Sequence, residues 1–283
     1  MNHRGARAIP DADHRNFFQS LNVMKSLYDT DLPVRFAKKF QRWITNNRLN
    51  SLESLSQYQH ISLCAGTSQA FDHFYIKHHT RRFRTLTGEF MYHRAVFKQG
   101  YKHLDYPLAP LDPNDAVIIS VPFSDLGSKH PDTNEILRRC SEMGVPVLLD
   151  MAYVVCSKNI VIDLDQSCID TVVFSLSKML YGAENLRVGI RFQKTNSDDG
   201  IDVFNSVGMN NRLDIAVAEQ IIDTFKPDYI WGRYSEKYQK VIKDMGLQAT
   251  DCIMFGLDDQ DRYPELNRGN KTNRVCISDQ LCT

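Results

Sequence analysis

Four places in this 283-residue chain set chemically active side chains at the edges of apolar segments. Asp150 follows Val145-Pro-Val-Leu-Leu149, and Lys178 follows Thr171-Val-Val-Phe174 through Ser-Leu-Ser. A carboxylate and an amine therefore each emerge from a run that reads as a buried strand. Arg187 stands close by in Leu186-Arg-Val-Gly189, and Gly66-Thr-Ser68 is a small-residue turn between a strand candidate and a helix start. Open α/β sheets keep their ligands outside the carboxyl ends of the strands, so this set could grip a charged cofactor there. Gly66, Thr67 and Ser68 would add the free N–H groups of a helix N-terminus, which suit a phosphate, although such a turn alone is also the form of an ordinary cap.

The elements that must hold these residues follow from the apolar pattern. Residues 61–64 are a short strand candidate, and largely continuous apolar runs at 116–121, 145–149, 171–174 and 188–192 predict strands buried on both faces, as in a parallel sheet covered by helices. Residues 134–143 read as a helix that ends near Gly144 and Pro146, which makes a βαβ unit. Residues 21–49 predict one amphipathic helix, with Phe36, Phe40, Trp43 and Ile44 on one face. A polar stretch at 193–202 precedes helices at 213–225 and 234–245, and residues 246–283 carry two short apolar runs. The expected fold is α/β, a mostly parallel sheet sandwiched by helices with a small α+β C-terminal domain. The expected division is an N-terminal arm and helix over 1–46, a large domain over 47–228 and a small domain over 229–283.

Composition narrows the function. Thirty-four Lys+Arg balance 34 Asp+Glu, a formal net charge of +0, which argues against a protein that coats nucleic acid or anionic lipid. The local run His78-His79-Thr80-Arg81-Arg82 reads as a solvated face. Seven scattered cysteines form no CxxC pair, so neither a disulfide framework nor a metal site is expected, and a reducing cytoplasm fits them. Residues 1–10 do not read as a secretory signal, and no window reaches the roughly 20 apolar residues of a membrane span.

The strings AGTSQAF (65–71), PVLLDMAY (146–153), SLSK (175–178) and LRVG (186–189) resemble, in order, the signatures of fold type I pyridoxal-phosphate enzymes of the class I/II aminotransferase family. The resemblance runs from about Tyr28 to Ile277. It implies pyridoxal 5'-phosphate as cofactor and Lys178 as the Schiff-base lysine, which carries it as an internal aldimine and moves protons at the substrate Cα. Asp150 would bind the pyridine nitrogen and keep it protonated, and Tyr153 would bond the phenolate oxygen. Gly66, Thr67, Ser68, Ser175 and Arg187 resemble the phosphate ligands, with Tyr28 reaching the neighbouring subunit's phosphate in a homodimer. Arg274, in Asn273-Arg-Val-Cys-Ile277, resembles the arginine that clamps the substrate α-carboxylate through two parallel hydrogen bonds. The implied activity is transamination of an amino acid to a keto acid.

Departures from the pattern keep other outcomes open. Pro122-Phe-Ser-Asp-Leu-Gly127 replaces the family's asparagine-bearing turn, putting Ser124 where the asparagine would bond the ring oxygen. In the segment 87–93, Glu89 falls at the position of the ring-stacking aromatic and Tyr92 at the family's second aromatic; Phe90 supplies the ring if the register slips by one. The Lys178-to-Arg187 span is one residue longer than usual, and the small domain is short. A lyase, decarboxylase or cyclase could run on the same core, and a non-catalytic binding protein is a third reading. A nicotinamide dehydrogenase is disfavoured because the Gly66 turn lacks the GxGxxG spacing. His93, Lys98 and Arg212 are candidates for a substrate side-chain pocket, with exposed or satisfied polar residues as the alternative.

Overall fold

A computed structural model describes residues 5–268 and 272–282. The first four residues of the N-terminal arm, residues 269–271 and Thr283 lie outside the described residues. In chain order the helices are α1 (Ala12–Ser20), α2 (Leu32–Thr45), α3 (Thr67–Lys77), α4 (Met91–Phe97), α5 (Thr133–Met143), α6 (Gly200–Ser206), α7 (Arg212–Thr224) and α8 (Tyr229–Met245). The strands are β1 (Ser51–Glu53), β2 (His60–Ala65), β3 (Arg82–Thr85), β4 (Asp115–Ser120), β5 (Val147–Asp150), β6 (Val161–Asp163), β7 (Ile169–Ser175), β8 (Val188–Gln193), β9 (Gln248–Ala249), β10 (Phe255–Leu257) and β11 (Arg274–Cys276).

Six strands form the central sheet in the order β2-β8-β7-β5-β4-β3. β3, β4, β5 and β7 pair in parallel, while β8 runs antiparallel to both β7 and β2. Every residue of β4, β5 and β8 is buried, which explains their mostly apolar runs: such strands have a helix layer on each face. α5 ends at Gly144, whose φ of 65° is the left-handed cap that glycine takes without strain. The expected α/β architecture is therefore the one observed. The chain's last third adds a three-stranded antiparallel sheet, β11-β10-β9, beside α8.

Two sequence expectations change. The single helix expected over 21–49 is broken into a 3-10 turn, Met24–Tyr28, and α2. Asp29 accepts the N–H groups of Asp31 and Leu32 through its carboxylate, and Pro33 starts the new helix, where a missing N–H does no harm. α2 then buries Phe36, Phe40, Trp43 and Ile44, the face the periodicity marks. The charge run at 78–82 does not end in solvent, because Arg82 opens β3 and pairs with Asp115 at 2.7 Å. Arg84 on the same strand is fully buried and holds the other Asp115 oxygen at 2.8 Å. Charged strand residues hide from hydropathy, and their compensating carboxylate lies 31 residues away.

Candidate active site

The sheet topology brings the reactive residues to one edge. β2, β7, β5, β4 and β3 all end there, and antiparallel β8 begins there, so Gly66, Ser175, Asp150, Ser120 and Arg187 arrive from neighbouring strands. This is the strand-end crevice where open α/β sheets hold ligands.

The cradle at Gly66 is built by close approach. Arg187 donates through Nη2 to Ser68 Oγ at 2.8 Å and to the Ala65 carbonyl at 3.2 Å, laying its guanidinium over the start of α3. A Cβ on Gly66, whose φ is 77°, would sit 2.3 Å from that Nη2. One on Gly189 would sit 2.6 Å from the Gly66 carbonyl carbon. The glycines of AGTSQAF and LRVG thus let the turn, the strand and the guanidinium meet. Together with the α3 N-terminus, this is an arrangement suited to an anion. At the end of β7, Ser175 Oγ donates to Ser177 Oγ at 2.9 Å and accepts the Ser177 N–H at 3.1 Å. Ser177 is a second hydroxyl that sequence reading passed over inside SLSK.

Lys178 follows directly. Its Nζ donates to the Ala6 carbonyl at 3.1 Å, and burial pushes its amine below the ordinary lysine range, towards the neutral nucleophile. Ala6 belongs to an N-terminal segment laid along the site. Ala8 and Ile9 are buried, Ser278 donates to the Arg7 carbonyl at 2.7 Å, and Arg7 pairs with Asp279.

Asp150 ends β5 with 6% of its surface exposed and accepts the Ala152 N–H at 3.1 Å. Burial, and next the nearby Glu89, push its carboxyl up to about 7. Tyr153 lies on the following turn, edge-on to Phe255 with ring centres 5.5 Å apart, and burial pushes its phenol up to about 12.

The small-domain side carries two arginines where the sequence suggested one. Arg274 is buried over the Phe255 ring at 4.0 Å and donates to the Ser124 carbonyl. Its Nε is buried with no hydrogen-bond partner among the described residues. Arg268, which sequence reading missed, donates to Ser124 Oγ at 3.1 Å and to the Gly88 and Glu89 carbonyls. The Ser124 hydroxyl expected to stand in for the family's asparagine is thus already an acceptor for a guanidinium. Burial, and next Arg274, hold Arg268 below the usual arginine range.

The remaining sequence candidates scatter. Phe90 is 39% exposed and stacks on Tyr92 at 6.2 Å, while Tyr92 donates to the Asp72 carboxylate at 2.8 Å. Glu89, not an aromatic, is buried at the stacking position of that segment. Tyr28 is 86% exposed and stands apart from this chain's own cluster. His93 is fully buried against Tyr75, whose hydroxyl lies 2.5 Å from its Nδ1, and burial pushes its imidazole down to about 3. Lys98 is exposed, and Arg212 donates to the Leu27 carbonyl at 2.7 Å. No group of three or more His, Cys, Asp or Glu side chains poised for a metal occurs among the described residues. No described helix is long and apolar enough to cross a membrane.

No family model and no curated protein sequence matches the chain. Solved structures do. It is similar to L-threonine-O-3-phosphate decarboxylase from Porphyromonas gingivalis, with TM-score 0.64, 14% identity and coverage of 96% of this chain and 94% of that one. Tyrosine aminotransferase from Leishmania infantum matches with TM-score 0.63 and 15% identity over 97% of this chain and 88% of that one. A pyridoxal-phosphate-bound C-S lyase from Staphylococcus hominis matches with TM-score 0.63 and 9% identity over 92% and 82%. The chain therefore has the aminotransferase-like fold type I architecture that its four motifs resemble.

Proposed function

We propose that this protein is a pyridoxal-phosphate-dependent aminotransferase acting on an amino acid. The observation that carries the reading is the convergence of the Lys178 amine, the Asp150 carboxylate and the Gly66–Ser68–Arg187 cradle on one sheet edge. The donor set fits the cofactor: a helix start with an arginine fork for a phosphate, a buried carboxyl for a ring nitrogen, and an amine of depressed basicity for an aldehyde.

When bound, the cofactor supplies an aldehyde carbon and an electron-withdrawing ring. The chain's residues do the rest. Gly66, Thr67, Ser68, Ser175 and Arg187 would hold the phosphate. Asp150 would keep the ring nitrogen protonated, and Tyr153 would bond the ring oxygen. Arg274, whose buried Nε has no hydrogen-bond partner among the described residues, would orient the substrate α-carboxylate. Lys178 would attach the cofactor through its amine and would move the proton at the substrate Cα. In the cofactor-free chain its Nζ donates to the Ala6 carbonyl. A homodimer completed by Tyr28 from the second copy, at work in a reducing cytoplasm, belongs to the same proposal.

The test is an absorbance spectrum of the protein with added pyridoxal phosphate beside a Lys178→Ala variant. A visible, borohydride-reducible band in the wild type only supports the assignment; its absence under all conditions refutes it. A screen of amino acids paired with keto-acid acceptors then tests transamination. A lyase or decarboxylase is the second reading. It is favoured by the Ser124 hydroxyl being held by Arg268, away from the asparagine's role, and by structural neighbours that include a decarboxylase and a C-S lyase. Loss of carbon dioxide or ammonia without an acceptor would select it.

A further inference from the structure

The segment that carries an aromatic ring in the family carries a buried carboxylate here, and that carboxylate is wired to the Asp150 end of the sheet. Glu89 is 2% exposed. Its Oε2 accepts the Ser120 N–H at 2.9 Å, and its Oε1 accepts the Phe90 N–H at 2.9 Å and the Ser120 hydroxyl at 2.5 Å. Ser120 ends β4 directly opposite Asp150 on β5, so the two buried carboxyls flank one serine. A hydroxyl has one proton. Ser120 gives it to Glu89.

Resting on the pyridoxal-phosphate reading, we infer that Glu89 and Asp150, on either side of Ser120, form one buried acid pair holding a single proton, and that Glu89 is a positioning residue governing the ionisation of Asp150 when the cofactor ring arrives. Two buried carboxylates on either side of one serine resist both being ionised. Neither Glu89 nor Asp150 forms an ion pair among the described residues. Tyr75 from α3 and Tyr153 from the turn after β5 are both pushed upward by burial and stay neutral, as does His93 from α4. Arg268, from the segment before β11, favours ionised Glu89 only through space: its hydrogen bonds go to the Gly88 and Glu89 backbone carbonyls and the Ser124 hydroxyl, and its ion pair goes to Asp125 at 3.6 Å. Burial, with Glu89 as the next cause, raises Asp150, in keeping with this arrangement. Ionised Asp150 is the form that pairs with a protonated ring, so the pair must give up its proton on binding. Cofactor affinity in the wild type then weakens as the pH falls through the pair's titration.

Two measurements on the full chain decide this. The first is an infrared pH titration of the cofactor-free protein, following the unionised carboxyl band that Asp150→Asn removes. The wild type should keep that band to near pH 7, and in Glu89→Gln its midpoint should move about one unit lower. Ser120→Ala, which removes the hydroxyl bonded to Glu89 while keeping both acids, should shift it as well and serves if Glu89→Gln does not fold. The second is the dissociation constant of pyridoxal phosphate against pH. Glu89→Gln should bind about tenfold more tightly than the wild type for each unit between the two midpoints, and the two curves should merge at pH 8. The cofactor's own titration is common to both proteins and cancels. An absent carboxyl band at pH 6 in the wild type, or identical midpoints in wild type and variants, overturns the pair. Failure of the wild type to bind pyridoxal phosphate at any pH overturns the cofactor reading, while the infrared titration still decides the pair.

Discussion

Replacing Asp150 by asparagine removes a carboxyl whose folded environment opposes its charge, and the effect on stability has a definite sign. In the unfolded chain this aspartate titrates near its ordinary value of 3.8, whereas in the fold burial and then Glu89 push it up to about 7. A group raised in this way contributes its full stability below the unfolded value and loses it as the pH climbs to the folded one. The interval is roughly 3 pH units at about 1.4 kcal/mol each, so ionised Asp150 destabilises the cofactor-free protein by up to about 4 kcal/mol at pH 8. Asparagine keeps an oxygen for the Ala152 N–H and a similar shape, so little else is lost. The cofactor-free Asp150→Asn protein should therefore be more stable than the wild type by about 2–4 kcal/mol at pH 8, with the gap closing near pH 4. Urea denaturation of both proteins between pH 4 and 8 measures this. Added pyridoxal phosphate should then stabilise the wild type more than the variant. A wild type as stable as Asp150→Asn at pH 8, or a difference independent of pH, would refute the reasoning.

Other consequences are equally direct. Arg187→Ala removes the fork over the α3 start, and pyridoxal-phosphate affinity should fall about 10–100-fold, read by fluorescence titration, because hydrogen bonds to a charged group contribute roughly 1.5–3 kcal/mol. Gly66→Ala should lower stability by about 1–3 kcal/mol in a chemical melt and weaken the same binding, since its φ is 77° and the new methyl would meet the Arg187 guanidinium. Ser278→Ala frees the Arg7 carbonyl and loosens the segment bonded to Lys178. Lys178 should then react faster with an amine-directed reagent, as peptide mapping would reveal, and an unchanged rate would show that the segment does not restrain it.

Much of the architecture was legible in the chain because it rests on local pattern. The runs ending at Cys64, Val121, Leu149, Phe174 and Phe192 announced buried strands through predominantly apolar character, and the α5 stop at Gly144 was written in one residue type. Gly66, Asp150, Lys178 and Arg187 were legible for the same reason: each stands at the end or start of such a run, so finding the strand finds the residue. β3 was not legible, since Arg82 and Arg84 look like surface until Asp115 is brought beside them. The break before α2 was missed because the Asp29 cap and Pro33 sit inside an otherwise continuous helical period.

The chain by itself determined which chemical groups reach the strand ends. Tertiary structure decided what those groups touch. It put the Ala6 carbonyl on Lys178 across 172 positions, Arg268 on Ser124 across 144, and Glu89 on Ser120 across 31. Hydropathy and turn residues act over a few neighbours and can be read one segment at a time. The state of a buried charge depends on every group that approaches it, whatever the sequence separation, and those neighbours exist only once the strands are paired.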